Sequence, residues 1–261
     1  MTDPGSYEVY AVKYAERDAR RPEHFLGGDP HDVPMPMDYF VWAIVGRDRT
    51  IVVDTGFNIH DAELRNRRLL RTAAEGLTTI GVDASTAPTV VLSHLHYDHV
   101  GGFDQFPNAQ FHLQDREMNF ATGRHMIDSQ YSHAFTARHV AEMVMAVHAK
   151  RVRFHDGDGE LAPGVSLHHI GGHTDGLQAV RVNTAAGWLV LASDASHYYE
   201  NMEATRPFPI VFDVPAMVAG YDRLRALAGP GGVIVPGHDP MVFERHPAAD
   251  PGLSGVAVRL G

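Results

Sequence analysis

The 261-residue sequence has no cysteine, which excludes disulfide bonds, thiolate metal ligands and cysteine nucleophiles. It is short of basic charge: 22 Lys and Arg stand against 32 Asp and Glu, a formal net charge of −10. Such a surface repels phosphate backbones and argues against a nucleic-acid partner. No window approaches the roughly 18 uninterrupted apolar residues of a membrane-spanning helix, and no basic amphipathic stretch suggests a membrane surface as partner. The opening MTDPGSYEVYAVKYAERD has no basic segment followed by an apolar one, so no signal peptide is read and a cytoplasmic location is expected. No low-complexity linker interrupts the chain. Residues 1–261 are therefore read as a single α/β domain, with 44% hydrophobic residues to fill its core.

Histidine is abundant instead, with 18 residues. YEVYAVKY (7–14) alternates as a strand does, and FVWAIVG (40–46) and TIVVDTG (50–56) flank the turn GRDR as a hairpin. The intervening HFLGGDPHDVPMPMDY is rich in Gly and Pro and reads as a loop. Residues 59–76 carry helical charge and leucine spacing and end at Gly76, read as a C-cap. A further helix is expected over 215–229. Residues 114–150 read as mostly helical and are taken as a helical cap insertion. In that stretch Met118, Phe120, Met126, Tyr131 and Phe135 are candidates for an apolar substrate pocket, together with Tyr198 from outside it.

Four apolar, strand-like runs each end in a candidate metal ligand. TVVL runs into SHLHYDH, GVSLHHI into GGH, WLVLAS into Asp194, and GVIVPG into His238. Rigid strands deliver side chains at their ends, where the adjoining loops leave room for substrate. If those ends share one edge, seven ligands converge: His94, His96, Asp98, His99, His173, Asp194 and His238. Five imidazoles and two carboxylates suit zinc, and also iron, manganese or cobalt. A catalytic zinc keeps about three protein ligands, so seven divide into two sites with one carboxylate shared. Alternate residues of an extended turn point the same way, so His94 and His96 can serve one metal. Asp98 and His99 follow the turn and can serve the other. Gly101 and Gly102 let the backbone bend tightly afterwards. The remaining histidines, among them His112, His125, His133, His139, His148, His155 and His168, are read as structural or exposed, and His169 as a neighbour of the ligands.

SHLHYDHVGG, GGHTDG, LASDAS and VPGHD, in that order, resemble the signature of the metallo-β-lactamase superfamily, and VVDTG (52–56) resembles its early strand-turn motif. The resemblance implies an αββα sandwich: two mixed β-sheets face to face, helices on the outer faces, metals at one edge. It implies that His94, His96 and His173 bind one metal, that Asp98, His99 and His238 bind the other, and that Asp194 bridges. Asp54 would support the ligands from behind.

Within that superfamily the chain looks most like the N-acyl-homoserine lactone lactonases, from its compact length, its N-terminal loop and the SDAS…FD…PGHD order. That resemblance implies a quorum-quenching lactonase in which a metal-bridging hydroxide attacks the ring carbonyl and Asp98 relays a proton. It also implies a possible homodimer. One position departs from the pattern: where those lactonases carry a tyrosine three residues after the bridging aspartate, this chain has His197, a candidate catalytic hydrogen-bond donor. The alternatives carried forward are hydrolysis of another ester, a thioester, an amide or a phosphoester. A mononuclear iron oxidoreductase of the same fold is a further alternative, which the full set of seven ligands disfavours.

Overall fold

The computed structural model describes residues 6–261. Seven strands come first: β1 (Glu8–Arg17), β2 (Met37–Val45), β3 (Thr50–Val53), β4 (Arg68–Leu69), β5 (Thr89–Val91), β6 (Gln110–Gln114) and β7 (Val152–His155). Then follow β8 (Gly159–Ala162), β9 (Val165–His169), β10 (Gln178–Thr184), β11 (Gly187–Ser193) and β12 (Val233–Pro236), and finally β13 (Ala257–Arg259). The helices are α1 (Ile59–Leu64), α2 (Ala73–Thr78), α3 (Tyr97–Val100), α4 (Asp115–Thr122), α5 (Ser129–Ser132), α6 (Ala137–His148), α7 (Tyr199–Glu203), α8 (Val214–Ala228) and α9 (Met241–Arg245). None is long and apolar enough to cross a membrane.

The strands form two mixed sheets, ordered β13-β1-β2-β3-β5-β6-β7, with β4 also on β1, and β12-β11-β10-β9-β8. The two sheets and outer helices are the sandwich the sequence led us to expect. The hairpin is present, with Val45 opposite Thr50. Every residue of β2 except the last is buried, because the strand has a core on each face. Phe40, Trp42 and Ile44 face the core between the sheets, while Tyr39, Val41 and Ala43 face the core under the outer helices. A strand covered on both sides needs a continuous apolar run, and FVWAIV supplies one.

The single helix expected over 59–76 is two short helices. Arg68 and Leu69 leave the helical path to pair with Glu16 and Ala15 of β1. Thr72 then starts α2 with a capping box to Glu75. Gly76 lies inside α2 rather than at its end, where a Cβ would meet Val12 at 2.7 Å. The helical reading of 114–150 is correct in kind, as α4, α5 and α6. These helices connect β6 to its parallel neighbour β7, a crossover that any parallel pair requires.

Topology places the site. Strands β3 and β5 are parallel, and so are β11 and β12, while β9 runs the same way as β11 because both are antiparallel to β10. The C-terminal ends of β9, β11 and β12 therefore lie on one edge of their sheet, and the loop after β5 meets them from the other sheet.

One consequence of burial lies away from that edge. His112 in β6 pairs Nδ1 to Nε2 of His155 at 2.9 Å. Burial first, then the charges of His155 and Arg153, push its pKa down to about 4. The native state thus refuses a proton that the unfolded chain accepts at about 6.5, so this stability is present above that pH and lost as pH falls toward 4. After allowance for screening it amounts to about 2 kcal/mol. The melting temperature should fall between pH 7 and pH 5, and His112→Gln should flatten that slope; an unchanged slope in the variant counts against the assignment.

Candidate metal centre

The chain leaves β5 at Val91 and enters the histidine-rich turn. His96 is extended and stands at the N-cap of α3, a single turn whose first and last residues are Tyr97 and Val100. This helix carries Asp98 and His99 inward. Gly102 then passes so close to the loop after β3 that a Cβ would lie 2.3 Å from the Thr55 carbonyl oxygen. Tightness here is a matter of close approach to that loop, with the Gly102 amide donating to the Gly56 carbonyl at 3.0 Å. His173 follows β9, Asp194 follows β11 and His238 follows β12. Two of these approaches are strained: Asp54, after β3, and Ser193, just before Asp194, hold φ of 62° and 46°.

The ligand atoms of these residues converge in groups that each lie within 4.8 Å. The groups are His94, His96 and His173; His94, His99 and Asp194; Asp98, His99 and His238; and His173, Asp194 and His197. All seven expected ligands are buried. Asp194 faces two ways: Oδ2 lies 3.4 Å from His173 Nε2 and 3.9 Å from His94 Nε2. Its Oδ1 lies 3.4 Å from His99 Nε2 and 3.1 Å from His238 Nε2. Gly237 permits this, since a Cβ there would come within 2.5 Å of Asp194 Oδ1. Asp98 Oδ2 is 3.7 Å from both His99 and His238 Nε2.

The surrounding hydrogen bonds fix the tautomers. His173 Nδ1 donates to the Ile210 carbonyl at 2.6 Å and His238 Nδ1 to the Asp38 carbonyl at 2.9 Å. His99 Nδ1 donates to Asp54 Oδ2 at 2.8 Å. Ser93 Oγ donates to Asp54 Oδ2 at 2.8 Å and is therefore an acceptor toward His94 Nδ1 at 3.0 Å. In each case the proton points outward and the Nε2 lone pair points inward. His173 Nε2 then faces His94 Nε2 at 3.2 Å and His96 Nδ1 at 2.9 Å with no proton to share between the first two. Buried lone pairs turned on one another fit a cation between them. His99 Nε2 and Asp194 Oδ1 are likewise buried without a hydrogen-bond partner.

The electrostatics divide the imidazoles. Burial first, then neighbouring imidazoles, holds His94 and His96 well below the usual histidine range. Burial acts the same way on His99, but Asp194, Asp54 and Asp98 outweigh it and push that imidazole well up. Against burial, His238, His99 and His197 pull the Asp194 carboxyl well down. The donor set and its charges fit divalent metal.

Asp54 stands where it was expected, fully buried behind the ligands, with Oδ1 accepting from the Ser93 amide at 2.7 Å. His197 does reach the centre. Its ring stacks on Phe208 at 3.6 Å, and its Nε2 is 3.0 Å from Asp194 Oδ2, near enough to join the ligands themselves. The expected apolar pocket is not there. The cavity over the ligands is lined instead by Arg17, His24, Tyr39, Arg65, Arg67, Tyr97, His133, His197, Phe208 and Ile210, among others. Phe120 and Phe135 belong to the buried core under the outer helices, against which Met118, Met126 and Tyr131 pack; Phe120 and Tyr131 also pack on Phe212. Of that set Phe135 comes nearest the centre, edge-on to His96 at 4.5 Å. Tyr198 turns away, its hydroxyl against His24 Nε2 and the Pro36 carbonyl. His133, read from sequence as structural or exposed, is exposed and lines the cavity. His169 binds the Asp175 carbonyl and so braces the loop that carries His173.

Sequence reading missed Glu117. It is fully buried in α4 and accepts from the Leu95 amide at 2.9 Å, the Thr174 hydroxyl at 2.6 Å and the Gly176 amide at 3.1 Å. It thereby ties the loop of His94 and His96 to the loop of His173. No motif marks it; its only signal is the burial the fold imposes.

A two-sheet sandwich that gathers five imidazoles and two carboxylates at one edge has the donor set of a metal-dependent enzyme. The chain belongs to the metallo-beta-lactamase superfamily, whose family model matches residues 35–238. A probable metallo-hydrolase of Mycobacterium tuberculosis is 25% identical over 234 residues, covering 76% of this chain and 73% of that protein. An N-acyl homoserine lactonase of Bacillus cereus is 28% identical over 213 residues, covering 75% and 76%. Among solved structures, an N-acyl homoserine lactone hydrolase with the product N-hexanoyl-L-homoserine at its catalytic metal centre superposes with a TM-score of 0.75. It is 22% identical and the match covers 91% of this chain and 95% of that one.

Proposed function

We propose that this chain holds two divalent ions, zinc foremost, and opens a lactone ring or a closely related carboxylic ester. The observation that carries the reading is the two-faced Asp194 carboxylate, set between His94 and His173 on one side and His99 and His238 on the other. His94, His96 and His173 would hold one ion, Asp98, His99 and His238 the second, and Asp194 both. When bound, such ions supply Lewis acidity, polarising an ester carbonyl and acidifying water. Lactonases among the relatives and structural neighbours support the substrate class.

The chain's own residues supply the rest. Asp98 lines the cavity and is placed to pass a proton to the leaving oxygen. Phe208 holds the His197 ring flat, and burial first pushes its pKa down to about 3, so it stays neutral across the working range. A neutral imidazole at that place can hydrogen-bond a substrate carbonyl. His197→Ala should lower kcat/KM about a hundredfold and leave the metal content unchanged. Metal analysis beside the kinetics checks this; lost metal would make His197 an eighth ligand.

The test of the substrate class is proton release by metal-loaded protein across homoserine lactones, γ-lactones and δ-lactones. Turnover supports the reading. Loaded protein that opens none of them overturns it and turns the search to thioesters, amides and phosphoesters.

A further inference from the structure

Two arginines on the cavity wall lack a contacting carboxylate among the described residues. Arg65 and Arg67, just beyond α1, both line it beside Tyr97. Arg67 Nε donates to the Tyr97 hydroxyl at 3.1 Å and its Nη1 to the Arg65 carbonyl at 2.6 Å. The Arg65 guanidinium lies 4.0 Å over the Tyr97 ring and donates to the His133 carbonyl at 2.8 Å. Its Nη2 donates to the Phe135 carbonyl at 3.3 Å and the Thr136 hydroxyl at 3.4 Å, and its buried Nε has no hydrogen-bond partner among the described residues. Among the described residues neither guanidinium has a carboxylate within 4.0 Å, whereas Arg17, the third to line the cavity, is offset by Glu23 at 3.6 Å. In a chain with ten more acidic than basic residues, two half-buried arginines left without acidic partners are conspicuous. A half-buried charge costs free energy unless it is compensated, and a fixed guanidinium fork matches a carboxylate.

We propose that the substrate carries an anionic group, a carboxylate in the simplest case, that docks on Arg67 and Arg65 while its ester lies over the metal centre. This rests on the hydrolase reading above and names its substrate class: an acidic lactone or ester rather than one with a purely apolar tail. Water adds across the acyl C–O bond, the ring oxygen leaves as a hydroxyl, and the new carboxylic acid releases one proton. The anionic group is unchanged and serves only to anchor.

The experiment compares 5-oxotetrahydrofuran-2-carboxylate with its neutral carboxamide on zinc-loaded protein. The carboxylate should be favoured at least tenfold in kcat/KM, chiefly through KM, and the preference should shrink as salt is raised. Arg67→Gln should reduce kcat/KM for the carboxylate at least tenfold more than for the carboxamide, with Arg67→Lys between. Equal use of both lactones, or a preference that survives Arg67→Gln, overturns the proposal while leaving the hydrolase reading intact. If neither lactone opens, and no homoserine lactone or δ-lactone does, the lactonase reading fails. Calorimetric titration with 2-hydroxyglutarate, the ring-opened acid, then decides the anion site alone: tenfold weaker binding to Arg67→Gln supports it, and equal binding to both proteins overturns it.

Discussion

Asp194→Asn is expected to strip the centre of metal and to reduce turnover by on the order of a thousandfold or more. The carboxylate offers one oxygen to each half of the ligand set, Oδ2 toward His173 and His94 and Oδ1 toward His99 and His238. An amide keeps the shape but removes the charge and turns one oxygen into a donor. That NH2 would face inward-pointing imidazole lone pairs on one side or the other. The change should leave the fold standing, because Asp194 sits after β11 rather than within it. Metal analysis, circular dichroism and lactone kinetics on one preparation check the result. A folded, fully loaded and active variant would refute the shared carboxylate.

The second large effect is expected at Glu117, which touches no ligand. Glu117→Ala leaves the Leu95 amide, the Gly176 amide and the Thr174 hydroxyl buried without acceptors. Each such loss costs about 1 kcal/mol or more, so about 3 kcal/mol or more in sum. For a domain of this size the melting temperature should drop by on the order of 10 °C. The two ligand loops would also lose their shared anchor, and metal affinity should fall about 10- to 100-fold. Burial first pushes the Glu117 carboxyl up to about 7 while its three donors pull the other way. Glu117→Gln keeps one acceptor and should lie between wild type and Ala. Thermal melts and chelator competition measure both effects. Unchanged melting and unchanged affinity would reduce Glu117 to a bystander.

How much of this was readable beforehand depended on how local each signal is. The candidate ligands were legible because metal chemistry needs particular side chains, and HLHYDH packs four of them into six residues at the end of a strand. The hairpin was legible because an apolar run and a polar turn fix its register. Residues 59–76 were misread because Arg68 and Leu69 answer to Ala15 and Glu16, some fifty residues away. The pocket was misread for a similar reason. Apolar residues at helical spacing look alike whether they face substrate or core, and Phe120 and Tyr131 met Phe212 instead. Glu117, Arg65 and Arg67 carry no sequence mark, since burial and missing counter-ions exist only once the chain has folded.

The central claim is a two-metal centre on seven buried side chains, and its most direct test is the metal content of purified, zinc-loaded protein. Elemental analysis should give two ions per chain, falling in Asp194→Asn. One ion per chain at saturation, or two that survive intact in Asp194→Asn, would contradict it.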